Sequence, residues 1–286
     1  SSVAAYLLKQ QGYDTLAFHP YKAHGWNRDT VYPLIGFDNF LDETSMNPNG
    51  EKFRGWYSDA EDYNKIIDIF NKKKAGQPLF LFNVTIQNHG GYLIADKNFK
   101  EEIKIKDEKA TDTANRYLSL IHESDRAFEK IINYFKNQKE PTIVVMFGDH
   151  QPKLEDSFYE LLYGKSLNSL SLKELQKKYT VPFIIWANYD IDEAAGKDTS
   201  VNYLAANVLK AAGVPTNDYQ GFLLKLQEEY PIISAVRTDK TADKTLDKAS
   251  NKSDKATGSK KKQADSDMLN DYKLLQYYRL FDWEDK

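Results

Sequence analysis

Short runs of nearly continuous apolar residues are the feature that most limits how this chain can fold. The runs at positions 79–84, 142–147 and 181–187 have the length of a β-strand and are rich in β-branched or aromatic residues, and positions 15–18 form a shorter candidate. Strands without alternating polar residues are typical of parallel sheets that helices cover on both faces. We therefore expect these strands to be buried on both faces.

Segments with helical patterns separate the apolar runs. The segment 3–11 ends at Gly12, and the segment 59–74 ends before Gly76 and Pro78, which are residues that stop helices. The remaining segments lie at 113–136, 172–178, 201–212 and 219–229. This alternation predicts an α/β fold with a mainly parallel sheet flanked by helices.

The composition changes abruptly towards the C-terminus. Positions 238–267 are dominated by Lys, Asp, Ser, Thr and Ala, and Leu246 is their only large aliphatic residue. A segment with so little apolar surface cannot offset its loss of conformational entropy. We therefore predict a main domain at 1–237, a disordered or low-complexity insertion at 238–267, and a C-terminal helix at 268–286 that docks on the domain.

Composition also excludes several kinds of function. The 39 Lys and Arg residues stand against 42 Asp and Glu residues, for a net charge of -3, which argues against binding of nucleic acid. With zero cysteines the chain has no disulfide, no thiolate ligand for zinc and no cysteine nucleophile. We find no membrane-spanning run, no signal peptide, no phosphate-binding loop and no nucleophile elbow.

Polar residues suited to catalysis or ligand binding follow three of the predicted strands. Four of the five histidines lie within a few residues of a strand end, and ligands of open α/β sheets bind outside the carboxyl ends of the strands. Asp149 and His150 follow the 142–147 strand. A carboxylate beside an imidazole can bind a divalent cation, although two ligands do not complete a site. A simple turn at Gly148-Asp149 is the alternative interpretation.

The other two strand ends carry groups suited to an anion. His89 stands between Asn88 and a Gly pair, where an imidazole can approach a ligand closely and donate to an anionic oxygen. Its alternative role is to cap the loop. Trp26 and Arg28 offer an apolar plate and a bidentate donor for phosphate or sulfate. The alternative there is an arginine packed over an aromatic ring.

Together these motifs resemble one known family. The order His19, Trp26-Asn27-Arg28, Asn88-His89 and Gly148-Asp149-His150, with the ending 271–277, resembles the extracellular domain of the lipoteichoic acid synthase family. Members of that family are phosphoglycerol transferases in the sulfatase/alkaline phosphatase superfamily. The resemblance covers most of the chain outside the insertion, and it implies that 1–237 is a partial, N-terminally incomplete sulfatase-like catalytic domain.

The resemblance implies a role for each matching residue. Asp149 and His150 match the family's pair of metal ligands, for which Mn²⁺ is the usual ion and Mg²⁺ the alternative. His19 matches a further position of the substrate pocket. The residues that match positions binding the phosphoglycerol head group are Trp26, Arg28 and His89. The implied partners are the head group of phosphatidylglycerol and a glycerophosphate polymer.

The resemblance also implies a reaction and a place for it. In this family a metal-bound threonine attacks phosphatidylglycerol, diacylglycerol leaves, and the glycerophosphate passes to a polymer at the extracytoplasmic face of the bacterial cell membrane. That threonine and a glutamate ligand lie upstream of the segment that residues 1–18 resemble, and this chain starts at Ser1 without an initiator Met. We therefore expect a fragment of a membrane-anchored enzyme, without the nucleophile, that is inactive alone and binds metal weakly. Membrane contact is expected through the parent's N-terminal segments.

Two alternative functions fit the same residues. A sulfatase or phosphodiesterase of the same superfamily would share Asp149 and His150 and would use water as the acceptor. Trp26-Asn27-Arg28 favours the transferase, because this motif matches the head-group pocket. A module without catalytic activity would recognise a polyanionic polymer of the cell envelope. The sequence leaves the acceptor and the oligomeric state open.

Overall fold

Two compact units make up the part of the chain that the structure describes. The computed structural model describes residues 4–193, 197–234, 238–239 and 264–282. The larger unit runs from Leu8 to Asp190, and the smaller unit takes the described residues before Leu8 and after Asp190. Positions 240–263, which make up most of the predicted insertion at 238–267, lie outside the described residues.

Parallel strands form the main sheet of the larger unit. The strands described in this unit are β1 (Asp14–Phe18), β2 (Asn39–Leu41), β3 (Lys52–Phe53), β4 (Trp56–Tyr57), β5 (Leu79–Asn83), β6 (Ile143–Phe147) and β7 (Phe183–Ala187). β1, β2 and β5 are parallel in the order β2-β1-β5, with Leu16 opposite both Asn39 and Leu81. The predicted fold class is therefore confirmed. The sequence pattern missed β2, because three residues do not form a recognisable apolar run.

β6 and β7 depart from the prediction. They pair with each other in antiparallel fashion, with Val145 opposite Ile185, and β3 pairs antiparallel with β4. The expectation that both runs are parallel strands buried on both faces is wrong, since Phe147 and Phe183 are each 39% exposed. Apolar content does not encode strand direction, and antiparallel strands tolerate a partly exposed face.

The helices of the larger unit lie between these strands. They are α2 (Arg28–Leu34), α3 (Asp59–Lys72), α4 (Asp112–Lys136), α5 (Asp156–Tyr163) and α6 (Leu172–Lys177), after an initial α1 (Ala4–Gln10). The side-chain oxygen of Ser58 caps α3 and that of Thr111 caps α4, because each accepts a hydrogen bond from a backbone N–H of the first turn. The predicted helices 59–74 and 113–136 correspond to α3 and α4, which pack against each other.

The smaller unit has its own apolar core. Its elements are α7 (Leu204–Ala211), α8 (Asp218–Glu229), β8 (Ile232–Ile233), β9 (Thr238–Asp239) and α9 (Ala264–Tyr277), with a π-helical turn at Tyr278–Asp282. Tyr272 of α9 is buried against Tyr203 and Leu223, and its hydroxyl accepts a hydrogen bond from Asn202 Nδ2 at 2.6 Å. None of the helices described is both apolar and long enough to cross a bilayer.

Buried aromatic residues fix the loops that leave β1 and β5. Phe18, at the end of β1, is fully buried against Met46 and Tyr57. After β5, Tyr92 packs into a second cluster that includes Phe53. Because these buried residues anchor the two loops, the packing of the larger unit holds the polar side chains of the loops in place.

Candidate active site

His19 lies directly after β1 and is almost completely buried. Its Nδ1–H donates a hydrogen bond to the backbone oxygen of Val84 at 2.6 Å, so Nε2 carries the lone pair. Nε2 is itself buried and has no hydrogen-bond partner among the described residues. Burial, together with the nearby positive charge of Arg28, lowers the pKa of His19 to about 4. At neutral pH His19 is therefore an uncharged acceptor.

Trp26 and Arg28 stand next to this histidine in a strained turn. Trp26 has φ 56° and Asn27 has φ 58°, both in the left-handed region that residues other than glycine rarely occupy. The Trp26 ring lies 5.8 Å from the His19 ring, and the Arg28 guanidinium lies 4.4 Å from the Trp26 ring centroid. Arg28 Nη1 donates to Gly25 O at 3.3 Å, and Nε donates to Tyr32 Oη at 3.2 Å. The arginine therefore does pack over an aromatic ring, and hydrogen bonds orient it there.

His89 lies after β5 between two tryptophan rings. Its ring centroid is 5.4 Å from Trp26 and 5.2 Å from Trp56, and both contacts are edge-on. The structure thus brings His19, Arg28 and His89 together around the ring of Trp26. This clustering follows from the topology, because β1 and β5 are adjacent parallel strands whose carboxyl ends share one edge.

Arg54, in the turn between β3 and β4, holds the loop that carries His89. Its Nη2 donates to Gln87 O at 2.6 Å and to His89 O at 3.1 Å. The guanidinium packs over the rings of Trp56 and Tyr92, at 5.0 and 5.2 Å from their centroids. Burial lowers the pKa of Arg54, but a guanidinium stays charged in proteins. A permanent positive charge therefore lies beside the backbone of His89.

A buried hydrogen-bond network ties the same loop to α3 and α4. Gln87 Oε1 accepts from the Asp59 backbone N–H at 2.9 Å, and Gln87 Nε2 donates to Leu120 O and Ser124 Oγ at 3.0 Å. Ser124 Oγ donates to Asp59 Oδ2 at 2.5 Å and accepts from Asn88 Nδ2 at 2.7 Å. Burial raises the pKa of Asp59 to about 6. The network fixes the two residues that precede His89.

Asp149 and His150 follow β6 and are well exposed, with side chains 79% and 75% accessible. His150 Nδ1–H donates to Gln151 O at 2.8 Å, which leaves the Nε2 lone pair 3.6 Å from Asp149 Oδ2. A carboxylate oxygen and an imidazole nitrogen fit two ligands of a divalent cation. No group of three or more His, Cys, Asp or Glu side chains is placed to hold a metal ion among the described residues. Asp149 and His150 alone would not complete a metal site.

Tyr92 connects this pair electrostatically to the pocket around Trp26. Burial raises the pKa of Tyr92 to about 12, and the negative charge of Asp149 contributes to the shift. The Tyr92 hydroxyl donates to Asn88 O at 2.7 Å, in the residue before His89. Asp149 therefore lies within electrostatic range of the Tyr92 hydroxyl.

Comparison with known proteins identifies the family of this chain. Residues 4–214 match the sequence model of the sulfatase family. The chain belongs to the sulfatase family. A putative cyclic β-1,2-glucan modification protein of Rhizobium meliloti is 29% identical over 235 residues, which are 80% of this chain and 36% of that protein. A lipoteichoic acid synthase of Staphylococcus saprophyticus is 25% identical over 181 residues, 62% of this chain and 27% of the synthase.

The solved structure of the Streptococcus pyogenes phosphoglycerol transferase GacH, in complex with sn-glycerol-1-phosphate, has the same fold. The superposition covers 93% of this sulfatase-family chain and 61% of the GacH chain, with 21% identity and a TM-score of 0.62. Together with the family match and the similarity to a lipoteichoic acid synthase, this shared fold confirms the resemblance to phosphoglycerol transferases of the sulfatase/alkaline phosphatase superfamily. The chain spans only 36% and 27% of the two curated relatives described above.

Two residues of this sulfatase-family chain that contact His89, namely Arg54 and Trp56, were not predicted from the sequence. Arg54 and Trp56 come from a hairpin whose strands have two residues each, too short for an apolar pattern. The available signal was the Arg54-Gly55-Trp56 turn just before the helix cap at Ser58. It pairs an arginine with a tryptophan two positions later, as Trp26 and Arg28 do in the opposite order.

Proposed function

We propose that this chain is the part of a metal-dependent phosphoglycerol transferase that binds the glycerophosphate head group. The observation that carries the proposal is the meeting of His19, Arg28 and His89 around the Trp26 ring. One cation and two imidazoles beside an apolar plate suit a ligand with a phosphate and a short polyol. The similarity to lipoteichoic acid synthases supports the choice of phosphatidylglycerol as donor and of a cell-envelope polymer as acceptor.

Each pocket residue has a distinct task in this proposal. Arg28 and His89 donate hydrogen bonds to the phosphoryl oxygens, where negative charge increases as the phosphodiester is attacked. His19 is neutral because its pKa is about 4, and its buried ring packs edge-on against Trp26, so it supports the ring that meets the ligand. Trp26 packs against the glycerol carbons. Arg54 keeps His89 in place through the backbone.

Asp149 and His150 are the metal ligands in this proposal. A bound divalent cation, Mn²⁺ by preference and Mg²⁺ as the alternative, would lower the pKa of a hydroxyl nucleophile and offset negative charge. Two protein ligands are too few for a closed site. We propose that the nucleophile and the other ligands belong to further parts of a longer protein, and that this chain alone binds metal weakly and is inactive. The proposal places that protein, anchored in the membrane, at the extracytoplasmic face of the bacterial cell membrane.

Calorimetric titration with sn-glycerol-1-phosphate tests the head-group pocket. We expect the unmodified chain to bind the ligand and Arg28→Ala to bind it at least about tenfold more weakly, because hydrogen bonds to a charged group are lost. Arg126→Ala is the matched control. Arg126 forms ion pairs with Glu102 and Glu123 instead, and we expect its removal to leave the affinity unchanged.

Four outcomes would count against parts of the proposal. If Arg28→Ala and Arg126→Ala bound sn-glycerol-1-phosphate with equal affinity, Arg28 would not be a ligand of the head group. Preference for a sugar sulfate over sn-glycerol-1-phosphate would favour a sulfatase. Tight Mn²⁺ binding by this chain, or release of glycerophosphate from phosphatidylglycerol, would contradict the idea that Asp149 and His150 need further ligands.

A further inference from the structure

The loop that follows His89 has an exposed apolar tip. Leu93 is 82% exposed and Ile94 is 65% exposed, and Ala95 beside them is also exposed. Neighbouring large aliphatic side chains that are exposed to solvent often mark a surface that binds a partner. We call residues 93–95 the apolar tip.

The flanks of the apolar tip are firmly held. Tyr92 and Phe99 are both buried in the same core cluster. The backbone oxygen of Tyr92 accepts a hydrogen bond from the Arg116 guanidinium, and the Asp96 carboxylate accepts one from the Arg54 backbone N–H. Because the chain is anchored on both sides of the apolar tip, Leu93 and Ile94 are held at the surface.

Charge and position indicate which partner fits the apolar tip. Lys97 is exposed, and Lys100, which is 86% exposed, forms an ion pair with Glu102 at 3.4 Å. Aliphatic residues next to lysines are typical of segments that lie in the interface of anionic membranes. Trp26, which contacts His89, is 56% exposed, and tryptophan is enriched at the membrane–water interface.

We propose that the apolar tip inserts into the surface of a bilayer that contains anionic glycerophospholipid, with Lys97 at the level of the head groups. The choice of lipid rests on the proposed function. Leu93 lies four positions after His89 in the chain, a span of at most about 14 Å, which is similar to the hydrocarbon thickness of one leaflet, about 15 Å. A lipid whose phosphate lies at His89 therefore has its acyl chains within reach of the apolar tip.

Co-sedimentation with vesicles tests this surface. We expect the 286-residue chain to bind phosphatidylglycerol/phosphatidylcholine vesicles more tightly than pure phosphatidylcholine vesicles. The double variant Leu93→Ser/Ile94→Ser should bind the anionic vesicles at least about tenfold more weakly, because the apolar area that enters the membrane is lost. Leu172→Ser is the matched control, since Leu172 is 73% exposed on α6.

The absence of cysteines allows a second measurement at a single position. Leu93→Cys is labelled with an environment-sensitive fluorophore, and Leu172→Cys serves as the control. We expect the emission of the label at position 93 to shift to the blue on anionic vesicles and the label at position 172 to stay unchanged. Equal responses at the two positions would overturn the proposal, even if the chain sediments with vesicles.

The remaining outcomes separate this proposal from the proposed function. Loss of vesicle binding in the double variant with unchanged binding of soluble sn-glycerol-1-phosphate supports a membrane role for the apolar tip. The chain could also bind vesicles through the apolar tip without binding sn-glycerol-1-phosphate. That result would support the membrane role of the tip and contradict the proposed head-group pocket. Concentration-dependent dimers that the double variant abolishes, without vesicle binding, would assign the tip to a second copy and overturn the proposal.

Discussion

The buried His19 makes the stability of the larger unit depend on pH in a way that can be measured. Burial lowers its folded-state pKa from 6.5 to about 4. As the pH falls, the unfolded chain therefore takes up the proton first. The contribution of His19 to stability is full above pH 6.5 and is lost as the pH falls towards 4.

The size of the effect follows from the two pKa values. The gap between 6.5 and about 4 corresponds to a loss of about 3.4 kcal/mol of unfolding free energy well below pH 4. About 2 kcal/mol of this loss falls between pH 7 and pH 5. Asp59 acts in the opposite direction, because burial raises its pKa to about 6, and protonation at low pH favours the folded state.

Comparison with a variant isolates the contribution of His19. In His19→Gln the amide can still donate to Val84 O but cannot gain a proton, whereas Asp59 is present in both proteins. We measure unfolding in urea by tryptophan fluorescence at pH 7 and at pH 5. The stability of the parent relative to the variant should fall by about 2 kcal/mol between these pH values. A relative stability that stays within about 0.5 kcal/mol would refute the reasoning.

Three further changes test other parts of the site. Ser124→Ala removes the donor to Asp59 Oδ2 and should lower the free energy of unfolding in urea by about 1–3 kcal/mol; an unchanged value would mean that the network is not formed. Gly148→Ala places a Cβ 3.0 Å from a Val181 carbon and should cost about 1–3 kcal/mol, whereas Gly90→Ala, which meets no atom within 4 Å, should unfold like the parent. Asp149→Asn should weaken Mn²⁺ binding in calorimetry, yet leave the melting temperature unchanged because the side chain is exposed; an unaltered metal affinity would count against its role as a ligand.

The meeting of His19 with His89 could be predicted from the sequence, because it depends on one simple rule. Both residues follow apolar strands, and parallel neighbours end at the same edge of a sheet. β1 and β5 are such neighbours. The roles of these residues, and those of Asp149 and His150, stay predictions that the titrations above can test.

The contacts that hold this site together could not be predicted in the same way. The direction of β6 and β7 depends on how the chain returns between them, which apolar content does not reveal. Arg54 and Ser124 approach the His89 loop from a short hairpin and from the middle of a long helix. Such contacts arise only when the elements pack in three dimensions, so a local pattern such as the Arg54-Gly55-Trp56 turn can mark a residue but not its partners.

The consecutive left-handed residues Trp26 and Asn27 have a consequence for the speed of ligand binding. Each left-handed residue other than glycine costs about 1–2 kcal/mol, and the packing of the surrounding unit offsets this cost during folding. The turn that carries the Trp26 ring therefore already has its final shape before a ligand arrives. The ligand should then bind in a single step, without a slow rearrangement of the protein. We therefore expect the observed binding rate in stopped-flow experiments to rise linearly with ligand concentration.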